Sequence, residues 1–285
     1  MDWLGTACFM PGLFLVIFAI TDSAHAPDSW KTPYIYSCLI AGSLFLGAGM
    51  YVEGWVAKQP LLPFDLFAVP HMKPLLLALF FSYGVLGIWL LYTTFYAQNL
   101  MGASPLQTVA WFVPFGVGGL ILSSLGGMIL HLVPGTIVLV IAGVGWVLAP
   151  LMMAIAPPGA SYWAFTFPAM IFGTLGVDIT YNITNIFLTT SLPEHQQGLA
   201  GGVANSILFL GMSFFLGFAD FTAAQVQDKG TRKSYQAAFW FAVACASVAL
   251  VLLLAFVKID KANSEIKTEE TSETAEETKV VNVLL

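Results

Sequence analysis

Eight long apolar runs constrain this chain more than any other feature. Of its 285 residues, 58% are hydrophobic and only 9% are charged. In soluble domains roughly a quarter of the residues are charged. A helix of about 20 apolar residues crosses a bilayer core about 30 Å thick. We therefore predict an all-α, polytopic membrane protein with spans at about residues 3–20, 34–56, 74–97, 106–130, 136–156, 161–190, 198–222 and 236–258.

The polar segments divide this pattern. Residues 58–73 contain three prolines between the second and third spans and predict an interfacial connector. From Lys258 onward, seven acidic residues stand against four lysines, so this end holds three of the six units of net negative charge. Such a segment cannot bury enough apolar surface to fold, and residues 259–285 are predicted to be a disordered tail. If the tail is cytosolic, the connector lies on the same side of the membrane.

Several function classes are disfavoured by what the sequence lacks. No basic surface suggests nucleic-acid binding. Cys8, Cys38 and Cys245 lie singly in apolar runs and form no CxxC or Cys/His pattern, so neither a disulfide framework nor a zinc site is predicted. Hydrolase motifs of the GxSxG and HExxH types are absent as well. We expect no enzyme activity, no metal and no cofactor.

A carboxylate interrupts the sixth span, in GVDITYNITN at residues 176–185. Helical spacing places one polar stripe along this span: Thr174, Asp178, Tyr181, Asn182, Asn185 and Thr189. An ionised carboxylate in mid-membrane is costly, so Asp178 is expected to face protein or a water-filled cavity. Two interpretations stay open, a cavity role in proton uptake and release, and a polar clamp between helices.

Small residues spaced four apart form two further stripes. One contains Gly119, Ser123 and Gly127 in the fourth span, and the other contains Gly198, Gly202 and Ser206 in the seventh, with Asn205 beside it. Small residues let helices approach closely in lipid, so both stripes predict helix packing. A flexible gating helix would use the same residues.

Three segments resemble one family. They are DWLGT (2–6), LYTTFYAQNLMGASPLQTVAWFVP (91–114) and GTLGVDITYNITNIFLTTSLPEHQQGLAGGVANSILFLG (173–211). The last two resemble motif regions of fourteen-helix drug:proton antiporters (DHA2-like) of the major facilitator superfamily, and the similarity is greatest to fungal members. It extends over residues 2–258.

The resemblance implies an architecture. Residues 1–57 would form the two linker helices of that family, and residues 74–258 would form its C-terminal six-helix bundle. The N-terminal six-helix half would be absent from this chain. The resemblance implies either a truncated or partial transporter or a half bundle that pairs with a second half or a second copy. It favours the plasma membrane over the vacuole.

The resemblance also implies a function, proton-coupled multidrug-type efflux of small organic molecules. Asp178 would carry the proton, Asn182, Asn185 and Asn205 would line the cavity, and Tyr92 and Tyr96 would stack against the substrate. The competing hypothesis is a non-transporting membrane protein that acts through association with another half or subunit.

Overall fold

The computed structural model describes residues 3–56, 69–132, 134–192 and 194–257, and within them it confirms the eight predicted helices. They are α1 (Trp3–Asp22), α2 (Pro33–Tyr51), α3 (Met72–Phe95), α4 (Pro105–Leu132), α5 (Gly135–Ile155), α6 (Phe167–Ser191), α7 (Glu194–Ala224) and α8 (Thr231–Phe256). All eight are long and apolar enough to cross a membrane. The predicted acidic tail and most of the connector lie outside the described residues.

Three single π-helical turns extend these helices. Val52–Val56 continues α2, Tyr96–Leu100 continues α3, and Tyr162–Thr166 leads into α6. The upper end of the bundle is defined as the end at which α3, α5 and α7 terminate. Each of the three links at that end contains a glycine with positive φ, Gly102, Gly159 or Gly230. Glycine adopts this conformation without the steric cost that a Cβ imposes, so these residues allow the chain to reverse in a short loop.

Helix α3 lies at the centre of the bundle formed by α3–α8. It packs on α7 and α8, while α5 packs on α6 and α8 and α4 packs chiefly on α6. Trp89, Trp146 and Phe239 are fully buried inside this bundle. Most of the α3 span is buried, whereas little of the α4 span is, and α6 and α7 touch only slightly. The bundle therefore has an open side on which α4 and α7 are exposed.

The first two helices form a hairpin at the side of this bundle. They pack on each other, and α1 also packs on α7. A Cβ at Gly42 would lie 3.0 Å from the carbonyl oxygen of Gly12, so the two backbones are close. On α7, a Cβ at Gly217 would lie 2.8 Å from the Ile20 side chain. Glycine thus sets both the contact within the hairpin and its contact with α7.

The structure corrects the prediction of a packing stripe on α7. A Cβ at Gly198 or Gly202 would meet no atom within 4 Å, and Ser206 is exposed. The close contact between α3 and α7 instead uses Gly84, Gly87 and Gly211. These three positions face Phe215, Met212 and the carbonyl oxygen of Phe80, respectively.

Of the three small residues in the predicted α4 stripe, one contacts another helix. Gly119 faces α6, while Ser123 is exposed and donates to the Leu120 carbonyl of its own helix. The surroundings of Gly127 lie outside what the structure describes. Both stripes have the right spacing for packing, but spacing does not say which face of an apolar helix meets a neighbour.

Candidate functional site

The Asp178 carboxylate on α6 lies against the backbone of α4. A Cβ at Gly119 would lie 3.1 Å from both carboxylate oxygens, so the absence of a side chain at Gly119 makes room for this group. The Asp178 side chain is half-buried. Among the described residues it has neither a hydrogen-bond partner nor a cation within ion-pair distance. The carboxylate is therefore partly shielded from solvent and uncompensated.

One turn earlier on α6, Thr174 ties the two helices together. Its hydroxyl donates to the Met170 carbonyl at 2.8 Å and lies 3.2 Å from the Phe115 carbonyl of α4. Gly118 gives the Thr174 methyl group the space it needs, because a Cβ there would lie 2.7 Å from that methyl. Adjacent glycines thus accommodate Thr174 and Asp178, and the threonine fixes the distance between the helices.

The three predicted cavity asparagines differ in their surroundings. Asn182 is half-buried, one turn beyond Asp178 on the same stripe. Asn185 donates to the Tyr181 carbonyl at 3.0 Å, within its own helix. Asn205 is exposed on α7 and donates to the Gly201 carbonyl at 3.0 Å. Because α6 and α7 touch only slightly, the structure does not bring Asn205 into contact with the α6 stripe.

Asn205 shares its helix face with a groove between α3 and α7. The groove has a volume of about 450 Å³, and its lining includes Phe209 and Ser213 of α7 and Leu91 and Thr94 of α3. Phe209 and Ser213 follow Asn205 at intervals of four residues, so all three lie on one face of the helix. The groove is mainly apolar, with two hydroxyl groups in its lining.

Tyr92 is not available for the substrate stacking that the resemblance implied. It is 4% exposed, and its hydroxyl donates to the Asp220 carboxylate at 2.7 Å. Tyr235 packs edge-on against the Tyr92 ring. Tyr96 is also buried, against Phe239, and lines a different cavity at the upper end of the bundle. The two tyrosines are therefore part of the α3–α8 packing and do not lie beside Asp178.

Asp220 is a polar residue of α7 that the predicted site did not include. It is half-buried and accepts the hydrogen bond from the Tyr92 hydroxyl. The signal was present in the sequence, since Asp220 interrupts the apolar segment FLGFADFTAA at residues 215–224. An acidic residue inside a span is rarely left facing lipid.

Comparison with known proteins decides the family. The model of the Major Facilitator Superfamily matches residues 3–216, which include α1 to α6 and most of α7. The chain belongs to the major facilitator superfamily. Together with the apolar helices, this membership indicates an integral membrane protein.

Three relatives from fungi give the family context. Efflux pump terG and efflux pump terJ of Aspergillus terreus are 31% and 30% identical to this chain, over 96% and 90% of its length. The low affinity ammonium transporter of Saccharomyces cerevisiae is 29% identical over 85% of the chain. The matches cover 52%, 49% and 47% of these relatives, so the chain spans about half the length of the curated relatives it matches.

Proposed function

We propose that this chain takes part in proton-coupled transport of small organic molecules, of the multidrug efflux type. The observation that carries the proposal is the Asp178 carboxylate, which is half-buried inside the α6 span with no cation or hydrogen-bond donor on it among the described residues. A carboxylate so placed is costly when ionised. It can lower that cost by taking up a proton or by binding a cationic substrate.

The alternative role for Asp178, a structural clamp, has less support. A clamp requires the carboxylate to accept hydrogen bonds from neighbouring polar side chains. The link between α4 and α6 is made instead by Thr174, whose hydroxyl reaches the Phe115 carbonyl. Among the described residues the carboxylate accepts no such hydrogen bond, and its oxygens lie 3.1 Å from the place that a Cβ at Gly119 would take.

We further propose that the eight helices correspond to the two linker helices and second six-helix bundle of a fourteen-helix antiporter. In this fold the substrate pathway lies between two halves, and alternating access rocks one half against the other. The exposed faces of α4 and α7 would form one wall of that pathway. The second wall would come from another six-helix half or a second copy of the chain, in the plasma membrane.

The groove between α3 and α7 favours an apolar substrate. Its lining supports contact with a hydrophobic ring, and the hydroxyl groups of Thr94 and Ser213 supply two polar contacts. The Asp178 carboxylate, which lies against α4 and not in this groove, would in addition favour a cationic substrate. The names of two relatives point to efflux and a third to ammonium, so a lipophilic cation and a small ammonium ion are both substrates to test.

Proton-driven transport in proteoliposomes tests the proposal. The full chain is reconstituted, and the movement of ethidium and of radiolabelled methylammonium is measured with and without a pH gradient. We expect the gradient to accelerate ethidium movement several-fold in the wild type and to have no effect on Asp178→Asn. Asp228→Asn is the matched control, because Asp228 is exposed in the link between α7 and α8.

The possible results separate the functions. Equal gradient dependence in the wild type and Asp178→Asn would refute the proton site. A response to methylammonium but not to ethidium would replace the organic substrate with ammonium. No movement of either compound by folded protein, combined with self-association by cross-linking, would favour the non-transporting membrane protein.

A further inference from the structure

A second cavity opens at the upper end of the bundle, away from Asp178. It has a volume of about 470 Å³ and lies where the end of α3, the start of α4, the α5–α6 link and the start of α8 meet. Trp111, on its α4 side, is eight residues before Gly119, or about 12 Å along the helix at about 1.5 Å per residue. This cavity is therefore distinct from the space beside the Asp178 carboxylate.

Arg232 brings an uncompensated positive charge to this cavity. Its side chain is half-buried, and one guanidinium nitrogen donates to the carbonyl oxygen of Ala156. The Nε atom is buried without a hydrogen-bond partner, and no carboxylate lies within ion-pair distance of Arg232 in the described part of the chain. A guanidinium carries five N–H donors and matches a carboxylate in a two-point contact. The bond to Ala156 leaves donors for a ligand.

Two stacked aromatic rings form another wall of the cavity. The rings of Trp111 and Tyr162 stack with their centroids 4.9 Å apart and their planes 22° from parallel. The Tyr162 hydroxyl donates to the Trp111 carbonyl at 2.9 Å, which fixes the pair. Flat rings favour such offset-stacked surfaces. The wall is thus built before any ligand arrives.

Two π-helical turns shape the same cavity. Tyr96 begins the turn that ends α3, Tyr162 begins the turn that leads into α6, and both tyrosines line the cavity. Single π-helical turns occur frequently at functional sites. At the rim, Gln107 is exposed, and a Cβ at Gly159 would meet no atom within 4 Å. The mouth is therefore open and offers an amide for a further hydrogen bond.

We propose that this upper cavity binds a small carboxylate attached to a flat ring. The carboxylate pairs with Arg232, and the ring packs on the wall of Trp111 and Tyr162. An anionic lipid headgroup shares the charge but lacks the flat ring that this wall fits. The inference does not depend on proton coupling at Asp178, since the cavity uses neither that carboxylate nor the groove between α3 and α7.

Calorimetry on the full chain in nanodiscs of zwitterionic lipid tests the site. The probes are 1-naphthylacetate and its neutral isostere 1-naphthylacetamide. We expect the carboxylate to bind at least about tenfold more tightly than the amide, because a charge-assisted pair is much stronger than a neutral contact. Equal binding of the two probes would overturn the proposal.

Matched variants locate the binding. Arg232→Gln is expected to lose about tenfold or more in affinity for 1-naphthylacetate, whereas Lys233→Gln, which removes the neighbouring exposed charge, is expected to bind like the wild type. Arg232→Lys keeps a donor for Ala156 if the glutamine variant fails to fold, and it should bind more weakly than the wild type. Wild-type affinity in either Arg232 variant would overturn the site.

Two further measurements separate the ring from the lipid. Trp111→Leu should weaken 1-naphthylacetate several-fold while leaving acetate unchanged, because it removes a stacking surface but no charge. Nanodiscs that contain phosphatidylglycerol should bind 1-naphthylacetate as before. Loss of binding in those nanodiscs would show that a lipid headgroup holds the site and would overturn the proposal.

Discussion

Glycine has different roles at two helix contacts in this molecule. At the contact of α3 with α7, glycines let backbone approach backbone, as where Gly211 faces the Phe80 carbonyl. At the contact of α4 with α6, Gly119 faces a carboxylate, and Gly118 faces the hydroxyl-bearing side chain of Thr174. The α3–α7 contact belongs to the buried centre of the bundle, and the α4–α6 contact holds the exposed helix α4.

This difference shows that a small residue in a span can either let two backbones approach or leave space for a side chain of the neighbouring helix. Close approach of two backbones gains van der Waals contact along the helices, which stabilises the bundle in lipid. Space left for an ionisable side chain contributes little packing and keeps a costly group inside the membrane. The first contact should therefore govern stability and the second should govern function. Three measurements test that distinction.

The largest effect on stability is expected for Gly211→Ala. The new Cβ would lie 2.5 Å from the Phe80 carbonyl oxygen, and a backbone atom cannot move aside as a flexible side chain can. Overpacking of this kind costs about 1–3 kcal/mol, and we expect the upper part of that range. Thermal unfolding in micelles measures it.

Gly201→Ala is the matched control on the same helix. A Cβ at Gly201 meets no atom within 4 Å, so only helix propensity changes, which favours alanine by about 0.5–1 kcal/mol. Equal destabilisation by the two substitutions would show that the α3–α7 contact does not depend on glycine.

A smaller effect is expected for Tyr92→Phe. The substitution removes the hydroxyl that donates to Asp220 at 2.7 Å, and a hydrogen bond to a charged group contributes about 1.5–3 kcal/mol at most when both partners are well buried. Because Asp220 is only half-buried, we expect a loss of about 1 kcal/mol in the free energy of unfolding.

A double-mutant cycle with Asp220→Ala, which removes the acceptor, checks that value. If the hydrogen bond is responsible, the two substitutions together should cost less than the sum of their separate effects. Strictly additive losses would mean that the Tyr92 hydroxyl does not stabilise the bundle through Asp220.

The smallest effect on stability is expected for Gly119→Ala. Its Cβ at 3.1 Å from both Asp178 oxygens requires the carboxylate to shift by a few tenths of an ångström, which should cost less than about 1 kcal/mol. The gradient-driven transport assay should nevertheless fall about tenfold, because the carboxylate is displaced from its position. Gly116→Ala, with no atom within 4 Å of its Cβ, should retain wild-type transport. Wild-type transport by Gly119→Ala would break the distinction between the two contacts.

The sequence predicted the helices well because membrane spans are set by one simple quantity, the length of an apolar run. It did not predict which faces of those helices meet. A helix that is apolar on every side carries no amphipathic stripe, so its rotation about its own axis cannot be inferred from composition. Gly84 and Gly211 pack tightly while Gly198 and Gly202 face open space, yet all four lie within helices that are apolar enough to cross a membrane.

The same holds for the candidate site: the sequence identifies some of its residues but not the contacts between them. Asp178 could be identified because a carboxylate in a span stands out, and Gly119 was predicted to pack, but their meeting depends on how α4 and α6 are rotated. Tyr92 and Asp220 are 128 residues apart and pair only through the packing of α3 on α7. Arg232 lies in the polar segment before the predicted eighth span, and nothing around it in the sequence indicates a site, because its cavity is assembled from four separate segments.

The contact between Gly119 and Asp178 has a mechanical consequence. A carboxylate that touches backbone has no intervening side chain to absorb a displacement by changing rotamer. Helix α4 packs chiefly on α6 and is the most exposed helix of the six-helix bundle, so a force on its open face would move it more easily than its neighbours. Any sliding of α4 along α6 would change the space around the carboxylate at once. Movement of helix α4 would then be transmitted directly to the Asp178 carboxylate.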